Sequence, residues 1–137
     1  MSEGARTERL ARLLRPRSIA FVGGKAAEEA VRQSVAFGFS GDIWPVNPRR
    51  AEMAGVACFA DVGSLPAAPD AVFLATPAEP SVALVGELAA LGAGGVVCYA
   101  SGFAEDGAEG RALQARLVEA AAGMPLVGPN CYGMINA

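Results

Sequence analysis

A chain of 137 residues, 53% of them hydrophobic and 18% charged, is long enough for one domain that buries about two thirds of its unfolded surface and too short for two. Its formal net charge of -3 supplies no basic field, so neither nucleic acid nor an anionic membrane surface is expected as a partner, and no apolar run approaches the ~20 residues of a membrane span. Residues 1–17 mix Glu with Arg where a secretory signal would be apolar, and a cytoplasmic location is expected.

The three cysteines, Cys58, Cys98 and Cys131, are odd in number and widely spaced, and the chain has no histidine. That pattern suggests neither a disulfide framework nor a metal site. Any step that needs a histidine must borrow it from another domain or chain.

Residues 6–15 place Leu10, Leu13 and Leu14 at helical spacing between arginines, and Pro16 ends this amphipathic lead-in. Residues 18–22 form a short apolar run that meets Gly23 and Gly24, the pattern of a buried strand entering a tight turn. The spacing predicts a helix over 26–37, with Glu28 and Arg32 paired on its outer face and Gly38 as its cap. Asp42–Val46 reads as a strand that Pro45, lacking an N–H, confines to a sheet edge or strand end.

After a loop, strand, helix and strand recur over 70–75, 79–91 and 95–100, with Gly92 capping the helix. Asp106 and Glu109 resemble a capping box for a helix reaching residue 122, and Leu126–Val127 reads as a last short strand. Such alternation predicts an α/β, Rossmann-like, doubly wound fold: a mainly parallel sheet of about five strands with helices on both faces. The lead-in would occupy residues 1–17 and the domain residues 18–137, as a piece of a longer multidomain chain.

In an open parallel sheet the ligand crevice lies outside the carboxyl ends of the strands, so the segments that follow each strand are the candidate site. Gly23, Gly24 and Lys25 form a possible phosphate loop, although the pattern lacks the third glycine of the dinucleotide fingerprint and the Walker ending. Asn47, Pro48, Arg49 and Arg50 follow the second strand, where an NAD site usually carries a carboxylate. Arginine there suits a phosphorylated ribose, whether the 2′-phosphate of NADP or the 3′-phosphate of coenzyme A, unless both arginines are simply solvated.

Thr76 and Pro77 are either a turn or a ligand contact. Ser101, Gly102 and Phe103 supply a hydroxyl and flexible backbone for a phosphate or pantetheine chain. Glu105 reads as helix-start electrostatics. Asn130 and Cys131 suit a site wall, with an inert thiol, since no Lys or His adjoins Cys131 in sequence to lower its pKa; Cys58 and Cys98 read as packing residues.

The run Leu14-Arg15-Pro16-Arg17-Ser18-Ile19-Ala20-Phe21-Val22-Gly23 resembles the CoA-binding domain of nucleoside-diphosphate-forming acyl-CoA synthetases, such as acetate-CoA ligase, relatives of the succinyl-CoA synthetase alpha subunit. So do Trp44-Pro45-Val46-Asn47-Pro48, Pro69-Asp70, Ala75-Thr76-Pro77, Ser101-Gly102-Phe103 and Gly128-Pro129-Asn130-Cys131-Tyr132-Gly133. The resemblance implies coenzyme A as the ligand, with Gly23, Gly24 and Lys25 at its phosphates and Asn47, Pro48 and Arg49 at the adenosine end. It implies Thr76 and Pro77 at the adenine or ribose, Ser101, Gly102 and Phe103 along the pantetheine arm, and Asn130 and Cys131 near the thiol, with no catalytic residue in this domain.

It further implies a parent enzyme making acyl-CoA, ADP and phosphate from acid, CoA and ATP, with a succinyl-CoA-ligase-like, histidine-bearing domain and an ATP-grasp domain in the same or a partner chain. This chain alone would then be inactive. The loop after Gly23 is shorter than the family's, and Glu28 and Glu29 follow it closely. Two other functions fit the residues: a non-catalytic module that senses CoA or another nucleotide or scaffolds a partner, and, with less support, an NADP-dependent oxidoreductase domain.

Overall fold

The computed structural model describes residues 2–99 and 107–128, together with the backbone of Met134–Ile135. Helix α1 (Glu3–Leu14) leads into β1 (Ser18–Gly23), α2 (Lys25–Ala36) and β2 (Asp42–Val46). A short hairpin follows, β3 (Glu52–Met53) with β4 (Val56–Ala57), and then one turn of 3-10 helix at Val62–Ser64. Alternation resumes with β5 (Ala71–Ala75), α3 (Ala78–Leu91), β6 (Val96–Cys98), α4 (Gly107–Ala121), β7 (Leu126–Val127) and β8 (Met134–Ile135).

The main sheet has the order β2-β1-β5-β6-β7-β8. Its first five strands are parallel and β8 runs antiparallel to β7. The expected α/β fold is therefore present, with one strand more than the five read from the sequence. That extra strand, Met134–Ile135, was not read from the sequence, where two residues are too few to show a period. The β3–β4 hairpin escaped detection in the supposed loop for the same reason; its turn residues Ala54 and Gly55 both have positive φ, 48° and 84°.

Side-chain alternation along β1 divides the core. Phe21 faces Ala27 and Val31 of α2 and the buried Met53 of the hairpin. Ala20 and Val22 face the opposite cluster, which contains Val85 and Leu88 of α3 and Leu117 and Ala121 of α4. Helix α2 thus covers one face while α3 and α4 cover the other, and the chain reverses its direction of travel across the sheet between β1 and β5. Gly38 (φ 76°) ends α2 as expected: its N–H donates to Val35 O and the Phe39 N–H to Ser34 O, satisfying two carbonyls of the last turn. Gly92 (φ 91°) does the same for α3.

Pro45 lies on β2, an edge strand of the main sheet, as its missing N–H requires. Its carbonyl still accepts a bond from the Phe59 N–H at 2.8 Å, and the Asn47 N–H donates to Phe59 O at 2.9 Å. These two bonds bring the chain after the hairpin back alongside the end of β2.

At the amino ends of the strands, α1 is held by arginines. Arg12 Nε donates to Asp70 Oδ1 at 2.7 Å and its Nη1 to Gly92 O at 2.8 Å, while the Arg17 N–H donates to Asp70 Oδ2 at 2.8 Å. Arg9 and Arg6 reach Ala89 O and Gly123 O, carbonyls near the ends of α3 and α4, where cations complement the helix dipoles. The helix lies so close to the sheet that a Cβ on Gly95 would sit 2.7 Å from Leu13 Cδ2.

Burial acts to raise the Asp70 carboxyl, but the hydrogen bonds and charges of Arg12 and Arg17 overcome it and hold the group below the usual carboxylate range. A depressed folded-state pKa contributes stability that is present above the unfolded value of about 3.9 and lost as pH falls through the folded value. Asp70→Asn should therefore cost about 1–3 kcal/mol in urea unfolding at neutral pH. The difference from wild type should shrink as the medium is acidified below that unfolded value.

Gly23 pairs with Ala75 in the β1–β5 register at φ 143°, and a Cβ on it would collide with the Ala75 carbonyl oxygen. Gly23→Ala should lower the unfolding free energy by at least about 1–3 kcal/mol in the same assay. Gly24→Ala, where a Cβ meets nothing within 4 Å, should cost less.

Candidate functional site

Where β1 and β5 part, their carboxyl ends and that of β2 surround a cavity of about 680 Å³. This is the reversal point of the strand order, where a doubly wound sheet opens a crevice because the connections leave it in opposite directions. Of the residues expected at the site, Gly23, Gly24, Asn47, Pro48, Arg49, Thr76 and Pro77 all line it.

Its lining is mixed in chemistry. Gly23 and Gly24 lead into α2, whose first-turn N–H groups have no intrahelical acceptor, and Gly24 at the N-cap offers no side chain to satisfy them. Those donors and the helix dipole favour an anion at the turn, and Arg49 adds a cation to the same lining. The same lining includes the apolar Ala60, Val62, Pro77, Pro80 and Leu84, and Asp61 and Thr76 as further polar groups.

Asn47 has a structural task at the junction. Its Nδ2 donates to Gly23 O at 2.8 Å and its Oδ1 accepts from the Arg49 N–H at 2.8 Å, so one amide ties the end of β2 to the β1 turn and fixes the course of the Arg49 backbone. Its remaining hydrogen and lone pair leave room for a ligand contact.

Several expectations need correction. Lys25 is not part of the turn: it is the first residue of α2, exposed, and stands outside the cavity lining. Glu28 does not pair with Arg32. Arg32 pairs with Glu29, and Glu28 pairs with Arg50 at 2.9 Å while its other oxygen accepts the Ala54 N–H at 3.4 Å. The Arg50 hydrogen bond, with that N–H, holds the Glu28 carboxyl below its ordinary range. Neither Glu28 nor Glu29 thus stands as an uncompensated charge behind Gly24, and Arg49 is the arginine that faces the cavity.

Sequence reasoning missed residues 60–62, Pro80 and Leu84. The first three arrive because Phe59 bridges to Val46, a long-range pairing with no local signature. Pro80 and Leu84 fall four apart on the first turns of α3, a face that helical spacing could have revealed.

Ser101, Gly102, Phe103, Glu105, Asp106, Asn130 and Cys131 lie outside the described residues. Cys98 is fully buried and Cys58 packs against the Phe21 cluster, where burial pushes its thiol up; both behave as packing residues. No group of three metal-ligating side chains occurs among the described residues, and none of their helices is long and apolar enough to cross a membrane.

The chain is 40% identical over 136 residues to a trans-feruloyl-CoA synthase from an unknown prokaryotic organism, covering 94% of this chain and 19% of that protein. It is 36% identical over 130 residues to acetate-CoA ligase [ADP-forming] I of Archaeoglobus fulgidus, covering 91% of this chain and 19% of the ligase. Among solved structures, the dinucleotide forming acetyl-coenzyme A synthetase 1 of Ca. Korarchaeum cryptofilum in its apo form superposes with a TM-score of 0.81 at 30% identity, over 88% of this chain and 28% of that one. The chain thus spans about a fifth of the length of these curated relatives. With its doubly wound sheet, its cavity at the strand reversal and a match to the family described as "CoA binding domain" over residues 4–137, the chain belongs to the CoA-binding domain family.

Proposed function

We propose that the domain binds coenzyme A in the cavity between β1, β2 and β5, as the CoA-recognition part of an acid-thiol ligase of the ADP-forming type. The observation that carries this reading is the cavity's mixed lining, in which the Gly23–Gly24 turn at the start of α2 and Arg49 stand together with the apolar Val62, Pro77, Pro80 and Leu84. Coenzyme A has the matching mixture: phosphates, and a flat heterocycle beside them. In this reading Gly23, Gly24 and Arg49 meet phosphate, Asn47 and Pro48 support the ribose side, and Thr76 and Pro77 the base. Lys25 supplies only long-range charge from the start of α2. Ser101, Gly102, Phe103, Asn130 and Cys131 belong to the pantetheine side.

The remaining chemistry, a phosphorylatable histidine and a nucleotide-binding grasp, resides in further domains of the same or a partner chain, in the cytoplasm. One relative, from Pyrococcus furiosus, is itself named a subunit alpha of an ADP-forming acetate-CoA ligase.

Arg49 gives the first test. A charge-assisted hydrogen bond to phosphate contributes about 1.5–3 kcal/mol, so calorimetric titration should show CoA binding roughly one to two orders of magnitude more tightly than dephospho-CoA. Arg49→Ala should erase that ratio, and Arg50→Ala, which removes the Glu28 partner, should leave it. Equal affinities in the wild type discard the Arg49 assignment, and tighter binding of NADP would favour an oxidoreductase domain.

A second test concerns the missing steps. With no histidine in 137 residues, the chain incubated with labelled ATP should gain no acid-labile phosphate and form no acyl-CoA. Label retained on this chain would contradict the division of labour.

A further inference from the structure

The cavity lining includes a hydroxyl, that of Thr76, whose direction is set by its neighbours. Thr76 Oγ1 lies 2.6 Å from Ser81 Oγ, and Ser81 Oγ lies 2.8 Å from Pro77 O and 3.1 Å from Thr76 O. Ser81 is fully buried in the first turn of α3. Each hydroxyl has one hydrogen.

Two arrangements are conceivable. If Ser81 donated to Thr76 Oγ1, two carbonyl oxygens would face the Ser81 oxygen at hydrogen-bond distance with no hydrogen between them, in a buried setting where such lone-pair opposition is costly. If Ser81 donates to Pro77 O or Thr76 O, the hydrogen between the two hydroxyls must come from Thr76, and every short contact has a donor. The second arrangement spends the Thr76 hydrogen inward. What Thr76 then offers the cavity is lone pairs alone.

We infer that Ser81 is a positioning residue for ligand choice: by fixing the Thr76 hydroxyl as an acceptor, it makes the cavity favour the 6-amino group of an aminopurine over the 6-oxo group of an oxopurine. Apolar residues of the same lining, Val62, Pro77, Pro80 and Leu84, suit a flat ring. Another polar group of the lining, the Asp61 carboxylate, is also an acceptor, with one oxygen already taking the Ser64 hydroxyl at 2.8 Å. A 6-amino group meets acceptors there. A 6-oxo group would set its lone pairs against theirs.

The inference rests on the cavity being the nucleotide site proposed above. The test is titration of the whole chain with coenzyme A and with its deaminated, 6-oxopurine analogue, which keeps every phosphate and the pantetheine arm. Wild type should bind coenzyme A roughly tenfold or more tightly than the analogue, the range of one lost hydrogen bond plus an opposed acceptor. In Ser81→Ala the Thr76 hydrogen is released to turn toward the ligand, so the analogue should gain and the ratio fall toward unity. Thr76→Val should also flatten the ratio by removing the acceptor.

Equal, measurable affinities of wild type for both ligands overturn the inference and leave the cavity reading intact. A ratio that survives Ser81→Ala in a folded variant removes Ser81 from ligand choice. No saturable binding of either ligand overturns the cavity reading and the inference together. Should Ser81→Ala fail to fold, the wild-type and Thr76→Val ratios still decide whether Thr76 acts as an acceptor.

Discussion

The close passage of Gly23 beside Ala75 sets where everything else can stand. Two parallel strands diverge from this point, β1 toward the face covered by α2 and β5 toward the face covered by α3, and a side chain on Gly23 would push the Ala75 carbonyl out of register. The absence of a Cβ keeps the strands paired to their last residue. It also leaves the turn open, so that backbone N–H groups rather than a side chain border the crevice. A constraint of packing is thus also the condition for an anion-favouring turn.

Charge is partitioned along the strands to match. Arginines of α1 occupy the amino edge, where they neutralise Asp70 and the carbonyl ends of α3 and α4. At the carboxyl edge, Glu28 is taken up by Arg50 and Glu29 by Arg32, so neither carboxylate of α2 stands unpaired behind the turn. The short loop after Gly23 therefore does not deliver the two negative charges that its sequence brings near.

Much of this was legible because it depends on local rules. The ends of β1, β2 and β5, the caps at Gly38 and Gly92, and the edge position imposed by Pro45 follow from periodicity, positive φ and a missing N–H. The Arg50–Glu28 pair, the return of residues 60–62 to the cavity and the anchoring of α1 by Asp70 were not legible, since each joins residues far apart in sequence through contacts that no spacing encodes. Lys25 was misplaced by a single residue at a helix start, where terminal assignments are least certain. The Ser81 network was hidden for another reason: a serine four residues after a proline carbonyl reads as ordinary helix back-bonding until the second hydroxyl is seen beside it.

The claim on which the account stands is that nucleotide occupies the crevice at the strand reversal. Backbone amide chemical shifts followed during titration of the chain with coenzyme A test it most directly. Saturable shifts at Gly23, Gly24, Arg49 and Thr76, with Arg17, Gly94 and Gly95 at the amino edge unmoved, are the predicted result; shifts confined to the amino edge, or none at saturating ligand, would contradict it.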